Sequence, residues 1–563
     1  MRRNRLPLFL LFVALWLAGP GGCGGSGTDW QEEYQEGEPL IGPDGKADGF
    51  GPDVPAYAPL PPGADLSAPL QVIFAPGEPV VTLELYWIDW VRQQRASDGN
   101  SYPEGENPYF IHYAVYTLRN QRIIEALADA EAEGVDVQIL IESDQLGKER
   151  TWMTVDEYLS GRGFEVVLDH HDLDERSRAT ADLIGIKHYG LMHLKTRIFH
   201  TPTDCLVLSG SFNPGSYAPL NDENFHLIRD PFLVERYRDM YRHLLYGERP
   251  VNVWDDTRPV NVLFTRPREG IRPGEMFLRW LGEEQEQILI MTYSLRDITA
   301  PGEQRSLVQL LAEKVAAGIP VYVISDRKQS DGGDHDDTDD RLRAAGVPVY
   351  EARNYATTYS AMHHKVAVLG RSHIRVVADS ANWTKSGLGT ASNIARNTES
   401  MLFIDTQALD DGRTGRRYLA EWLKVLERYA EQGQAIDGEQ SYQEVEQRLL
   451  VQPDWPEQAV GFLARRAETD MGEVVYVLGD YPRLGGWGEL GPGVELVTDP
   501  QDYPDWWTNE PVLLPLALQF EWKLTALDAG AGRRWEDGPN RLSRAWSPAL
   551  QADETYWLQA VWR

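Results

Sequence analysis

The sequence predicts an α/β protein of two homologous halves that share one polar pocket, followed by a separate all-β sandwich. Three observations carry this. Two stretches in the middle of the chain match in element order. One short polar motif recurs at matching places in both. Near residue 455 the composition changes, and nine of the 18 Trp fall between Trp455 and Trp562.

Size and charge bound the answer. Single cores stop growing near ~250–300 residues, so 563 residues imply two to four domains. There are 86 Asp and Glu against 54 Lys and Arg, a formal net charge of −32. Such a polyanion repels nucleic acid phosphates, so no nucleic acid partner is expected. Two cysteines exclude a disulfide scaffold.

Arg2, Arg3 and Arg5 precede an apolar run from Leu6 to Leu17. A charged segment before a short apolar one reads as an export signal, residues 1–22. The run is short for a spanning helix of ~20 residues. The following Gly19-Pro20-Gly21-Gly22-Cys23 resembles a bacterial lipoprotein cleavage site, although Pro20 stands where that pattern usually has Leu. The resemblance implies lipidation of Cys23, a membrane anchor, and a cell-envelope lipoprotein, with plain secretion as the alternative. Cys205 then lacks an intrachain partner, as suits a buried thiol. Residues 23–68 are rich in Gly, Pro and acids and read as a flexible tether.

The repeat occupies residues 69–255 and 256–447. The first copy holds Tyr116-Thr-Leu-Arg119, a helical run with Ile123, Ile124, Leu127 and Ala130, then Gly134 and the strand VDVQILIESD. The second holds Tyr293-Ser-Leu-Arg296, a helical run with Leu307, Leu310, Leu311 and Val315, then Gly318 and the strand IPVYVISD. Each unit is strand, helix, strand, with Gly where the helix must end. The second strands are apolar and β-branched, as buried parallel strands are. Such crossovers place helices on the faces of a sheet.

The polar motif sits at matching places. His193-Leu-Lys195 in the first half corresponds to His363-His364-Lys365 in the second. Residues two apart in a strand share a face, so each His and Lys point the same way. Ser211 and Asn213 follow the first pair, and Ser380 and Asn382 the second. An acid follows each, Glu223 in NDEN and Glu399 in RNTES. Brought together, the halves place two ammonium groups and neutral donors around one anion site. One imidazole can attack while the other donates a proton. A buried carboxylate on the far ring nitrogen would fix the tautomer, and Glu223 and Glu399 are the candidates. This suits displacement at a phosphodiester without metal or cofactor.

These residues resemble the phospholipase D superfamily, whose signature is His-x-Lys-x4-Asp followed by Gly-Ser-x-Asn, twice in one chain. The resemblance covers roughly residues 70–445. It implies two phospholipase D-like α/β halves sharing one active site, a phosphohistidine intermediate, and water or an alcohol as the second nucleophile. By position His193 resembles the usual nucleophile and His363 the usual acid. The chain departs from the pattern in three ways. His200 and Gly370 stand where the motif Asp is usual, His193 and Ser211 are widely spaced around Thr201-Pro-Thr-Asp204, and Asp379 replaces the Gly before Ser380. An acid beside a phosphate site is unhelpful unless it points away. DGGDHDDTDD, from Asp331 to Asp340, and the group His170-His171-Asp172 read as solvated loops rather than metal sites.

A polar helical stretch and a linker, residues 448–460, lead to the last region, 461–563. Short β-rich runs alternate with turns there: GFLARR, GEVVYVLGD, FEWKLTAL and TYWLQAVWR. This spacing predicts a β-sandwich. A sandwich so small needs few Trp inside, so some should be exposed and able to stack on sugar faces. The pieces GEVVYVLGDYPRLGGWGE, YPDWW, FEWK and WEDGPNR resemble the starch-binding carbohydrate module of family 20. The resemblance implies starch or glycogen as a partner. By position it implies a stacking pair of Trp487 and Trp535, a polar rim of Lys523, Glu521 and Asn540, and Trp506 at a second site where Met471 replaces a usual Tyr.

The expectation is an exported phosphodiesterase of phospholipase D type, acting on phospholipid and carried to α-glucan. The alternatives are a phosphodiesterase on a cell-surface polysaccharide diester and a catalytically inactive starch-binding surface protein.

Overall fold

The computed structural model describes residues 55–60, 66–103, 105–146, 154–168, 173–186, 190–215, 218–300, 305–330, 337–352, 361–429, 457–479, 481–488, 492–515, 519–528, 532–545 and 554–563. The export signal, Cys23, His170-His171-Asp172 and most of the Asp331–Asp340 run lie outside these residues. Among the described residues no helix is long and apolar enough to cross a membrane.

The first half is an eight-stranded sheet. Its strands are β1 (Leu70–Ala75), β2 (Phe110–Val115), β3 (Asp136–Glu142), β4 (Val166–Val167), β5 (Leu183–Ile186), β6 (Lys195–Thr201), β7 (Asp204–Gly210) and β8 (Glu223–Ile228). They lie in the order β1-β8-β7-β6-β2-β3-β5-β4. The second half contributes β9 (Val260–Phe264), β10 (Ile288–Thr292), β11 (Val321–Asp326), β12 (Val349–Ala352), β13 (Lys365–Leu369), β14 (Arg375–Asp379) and β15 (Ser400–Asp405). Its order, β9-β15-β14-β13-β10-β11-β12, repeats the first sheet strand for strand, with no counterpart of β4 among the described residues.

The expected strand–helix–strand units are present. The helices Gln121–Ala132 and Leu307–Ala316 link β2 to β3 and β10 to β11, and both strand pairs are parallel. Gly134 and Gly318 follow these helices with φ of 89° and 81°, where a side chain would be strained. The sheets are mixed rather than parallel throughout, because β6–β7 and β13–β14 are antiparallel hairpins. The His193–Ser211 stretch forms a hairpin of two 7-residue strands, where its counterpart has two 5-residue strands and a longer turn. Thr201 pairs directly with Asp204, so the turn itself is tight.

Alternation along the strands builds three core layers. In β13 and β14, Val366, Val368, Val376 and Ala378 face a core shared by both halves, while Ala367, Leu369 and Val377 face the second half's own helices. In β6 and β7, Ile198 and Val207 join the shared core, while Phe199, Leu206 and Leu208 face the first half's own helices. Each sheet is thus buried on both sides. The shared layer, closed by the helices Pro231–Leu245 and Arg413–Tyr429, locks the halves face to face.

The C-terminal module runs through nine further strands, β16 (Glu457–Arg465) to β24 (Tyr556–Val561), around its own core. Its first strand starts at Glu457, inside the stretch expected to be linker. The module is docked. Arg483 donates to Glu427 of the helix Arg413–Tyr429 at 2.7 Å and to Glu457 at 2.6 Å.

Candidate active site

β6 and β13 both begin at the motif lysine, two residues after the histidine. A crossed arrangement holds the two histidine segments. His193 N–H donates to the Thr398 carbonyl at 2.9 Å, and His363 N–H donates to the Asp222 carbonyl at 3.0 Å. Each histidine is therefore pinned beside the acid-bearing strand of the other half.

The side chains repeat this crossing. His193 Nδ1 lies 2.6 Å from Glu399 Oε2, and His363 Nδ1 lies 2.8 Å from Glu223 Oε2. Both carboxylates are fully buried, and the histidines are 1% and 4% exposed. A carboxylate accepts, so Nδ1 carries the proton and Nε2 turns its lone pair to the pocket. On that side Lys195 Nζ stands 2.9 Å from His193 Nε2, and Lys365 Nζ stands 2.8 Å from His363 Nε2. Each ammonium also donates to its own histidine's carbonyl at 3.0 Å. Two ammonium groups and two imidazoles held this way can stabilise an oxyanion and offer Nε2 as a nucleophile or base.

Sequence reasoning missed a further layer. Asn221 Nδ2 donates to Glu223 Oε1 at 3.1 Å, and Asn397 Nδ2 donates to Glu399 Oε1 at 3.4 Å. The same amides accept across the halves, Asn221 from Ala361 N–H at 2.9 Å and Asn397 from Leu191 N–H at 3.1 Å. The recurring Asn-x-Glu was the available signal.

The serines were expected to face the pocket as donors, and the structure corrects this. Ser211 Oγ is bonded to the backbone of Asn224, accepting its N–H at 3.0 Å. Ser380 Oγ accepts the Ser400 N–H at 2.9 Å and donates to Glu399 Oε2 at 3.1 Å. Both brace the strands that carry the carboxylates. Asn213 and Asn382 follow two residues later, half-buried and buried.

The departures from the motif resolve locally. His200 stacks on Phe110 at 4.3 Å, with Nδ1 2.7 Å from the Pro108 carbonyl. Gly370 sits in the second hairpin at φ 87°, where an added Cβ would meet the His373 carbonyl oxygen at 2.3 Å. An Asp could not stand there in this backbone. Asp379 does point away. Its carboxylate, wholly buried between the halves, accepts from Tyr237 at 2.6 Å and from Ser209 at 3.1 Å. Burial raises its pKa to about 6, against the hydroxyl donors and the nearby Lys195. His364, adjacent to His363, faces the opposite side and contacts Glu421 at 3.2 Å. Cys205 is half-buried, and burial pushes its thiol up to about 12. Among the described residues no cluster of His, Cys, Asp and Glu could hold a metal ion.

The family model described as cardiolipin synthase, PLD-like domain, matches residues 108–245 and 278–412, and the starch binding domain model matches 457–552. The chain carries a duplicated phospholipase D-like region and a starch-binding domain. A cyclomaltodextrin glucanotransferase of Klebsiella oxytoca is 33% identical over 86 residues, which is 15% of this chain and 12% of that one. The chain thus spans about an eighth of this curated relative's length. Among solved structures, a phosphatidylserine synthase of Haemophilus influenzae gives a TM-score of 0.40 at 12% identity, covering 65% of this chain and 89% of that one. The phospholipase D family member Nuc of Salmonella typhimurium gives 0.21 at 19%, covering 29% and 90%.

In the starch-binding domain Trp487 and Trp535 come together, their rings 6.3 Å apart and tilted by 53°. Trp535 is exposed, and Arg533 lies over its ring at 5.6 Å. Trp487 adopts φ 55°, a left-handed conformation that turns its ring toward Trp535. Beside them Asn540 Nδ2 donates to Glu521 at 2.9 Å, and Lys523 Nζ donates to the Gly538 carbonyl at 2.6 Å. Trp506 is not on the surface. It packs in the domain core, with its indole N–H donated to the Ala467 carbonyl at 3.1 Å. That corrects the second-site expectation for this residue. The Met471 side chain is fully exposed.

Proposed function

We propose that the protein is a metal-independent phosphodiesterase that acts on phospholipids through a phosphohistidine, brought to starch or glycogen by its C-terminal domain. The observation that carries this is the pair of crossed dyads, His193 with Glu399 and His363 with Glu223. One histidine attacks phosphorus through its Nε2 lone pair while the other, entering as the imidazolium with a proton on Nε2 as well as Nδ1, gives its Nε2 proton to the departing oxygen, so a P–N bond replaces the P–O bond. The second histidine then takes a proton from water, which attacks phosphorus and releases the first. Lys195 and Lys365 hold the non-bridging oxygens and offset the charge that develops on them. Buried carboxylates on both Nδ1 atoms stabilise each imidazolium as it forms. In this reading the mature protein is exported and held at the cell envelope by a lipid on Cys23.

Head-group release from mixed phospholipid vesicles, in chelator, tests the reading beside His193→Asn and His363→Asn. Release by the wild type that both substitutions abolish supports it. Vesicles left intact would turn the reading to a phosphodiester within a cell-surface polysaccharide, which the docked starch-binding domain would bring close. If that also stays intact, the protein is a starch-binding surface protein without catalysis.

A further inference from the structure

The two halves share a second constellation that the mechanism above does not use. Tyr116 and Tyr293 stand at the ends of β2 and β10, beside the two His-x-Lys segments. Tyr116 N–H donates to the Leu194 carbonyl at 3.0 Å, and Tyr293 N–H donates to the His364 carbonyl at 2.7 Å. Both carbonyls belong to the residue between motif His and motif Lys. The Tyr116 ring meets the His193 ring at 5.2 Å and 63°, and Tyr293 meets His363 at 4.7 Å and 64°. The same rings carry the motif ammonium groups, Lys195 Nζ at 5.6 Å and Lys365 Nζ at 5.1 Å from the ring centroids. Each hydroxyl accepts from a glutamine amide, Tyr116 from Gln145 at 2.9 Å and Tyr293 from Gln329 at 3.0 Å. The glutamines sit on the one-turn helices that follow β3 and β11, Ser143–Leu146 and Arg327–Ser330. Arg119 supports Gln145 through its side-chain oxygen at 2.9 Å, and Arg296 supports Gln329 through its backbone carbonyl at 3.3 Å.

We infer that Tyr116 and Tyr293 are positioning residues, each holding one His–Lys pair in its reactive geometry through ring contacts, with Gln145 and Gln329 fixing the rings. A packing accident has no reason to recur with the same ring orientation, the same ammonium and the same amide on the hydroxyl. The motif lysine has a long, flexible stem, and in an empty pocket it can swing away from Nε2. An aromatic face on one side of the ammonium narrows that choice and keeps water from the space beside the imidazole. Misplacing a reacting group by about 1 Å costs on the order of 10²-fold in rate. The ring supplies this effect, and the hydroxyl only orients the ring.

The inference rests on the proposed function for its kinetic readout. Tyr116→Leu and Tyr293→Leu should each lower kcat on bis(p-nitrophenyl) phosphate by roughly 30-fold with KM within about threefold. Tyr116→Phe and Tyr293→Phe, which keep the ring, should stay within about threefold of wild type. Loss in the Phe variants equal to that in the Leu variants, or a fall confined to KM, overturns the inference. A second readout needs no activity: the downfield proton resonances of the two Nδ1–H···carboxylate bonds should persist in the Phe variants and shift or broaden in the Leu variants. A wild type that cleaves nothing defeats the proposed function, and the resonances then judge the inference alone. Unchanged lines in the Leu variants would refute it.

Discussion

Asp379 gives the most quantitative test of how the halves fit. It replaces a glycine of the motif, holds φ 124°, and buries its carboxylate between the halves. Burial raises its pKa from 3.8 to about 6. A folded-state pKa above the unfolded one stabilises fully below the unfolded value, and this is lost as pH rises through the folded value. At 1.36 kcal/mol per unit, the whole effect is about 3 kcal/mol. The part between pH 5 and pH 8 is about half, ~1.5 kcal/mol. Asp379→Asn cannot titrate, and its amide can still accept from Tyr237. Its melting temperature relative to wild type should therefore be higher at pH 8 than at pH 5. At about 2.1 cal/mol/K per residue over the ~380 residues of the two halves, that difference is ~2 °C. Differential scanning calorimetry of both proteins at the two pH values measures it. A gap that stays constant, or narrows toward pH 8, would refute the argument that a buried, ionisable carboxylate strains this interface.

Other expectations follow from the same contacts. Glu399→Gln and Glu223→Gln should each lower kcat by about 10²–10⁴-fold, since an amide favours the wrong imidazole tautomer; steady-state kinetics on any cleaved diester reads this. Because each histidine takes its carboxylate from the other half, residues 69–255 and 256–447 should be inactive when made separately. Trp487→Ala or Trp535→Ala should weaken starch retention by on the order of tenfold, about 1.4 kcal/mol, without changing the melting temperature. Trp506→Ala should instead destabilise the domain by about 3–5 kcal/mol, and calorimetry separates the two outcomes. Arg483→Ala leaves the buried Glu427 without this partner. Undocking should cost about 1–3 kcal/mol and show as a larger radius of gyration in small-angle scattering.

Much of the architecture was legible because its signals are local. The repeat shows as matching periods, and Gly134 and Gly318 mark helix ends that need a positive φ. The paired His-x-Lys motifs, with acids downstream, mark the candidate site because residue type and spacing carry that signal. Other features were not legible. Alternation says that a strand has two faces, but not which face meets the other half. The serines were assigned to the pocket because their motif adjoins it, yet their hydroxyls bind the strands bearing Glu223 and Glu399. Trp506 was assigned to the surface from its position in a motif. Its place in the core depends on how β19 (Trp506–Thr508) pairs with β16, a contact more than 40 residues away in sequence.

By itself the sequence determined the composition of the site: two imidazoles, two ammonium groups and two carboxylates, each on or beside a strand of known period. Only the tertiary structure decided the pairing. His193 lies 206 residues from Glu399, and His363 lies 140 from Glu223. Nothing in the local sequence favours these partners over the acid of the same half. The choice is made by packing two twofold-like sheets against one shared apolar core, which brings the start of each histidine strand against the acid-bearing strand of its opposite.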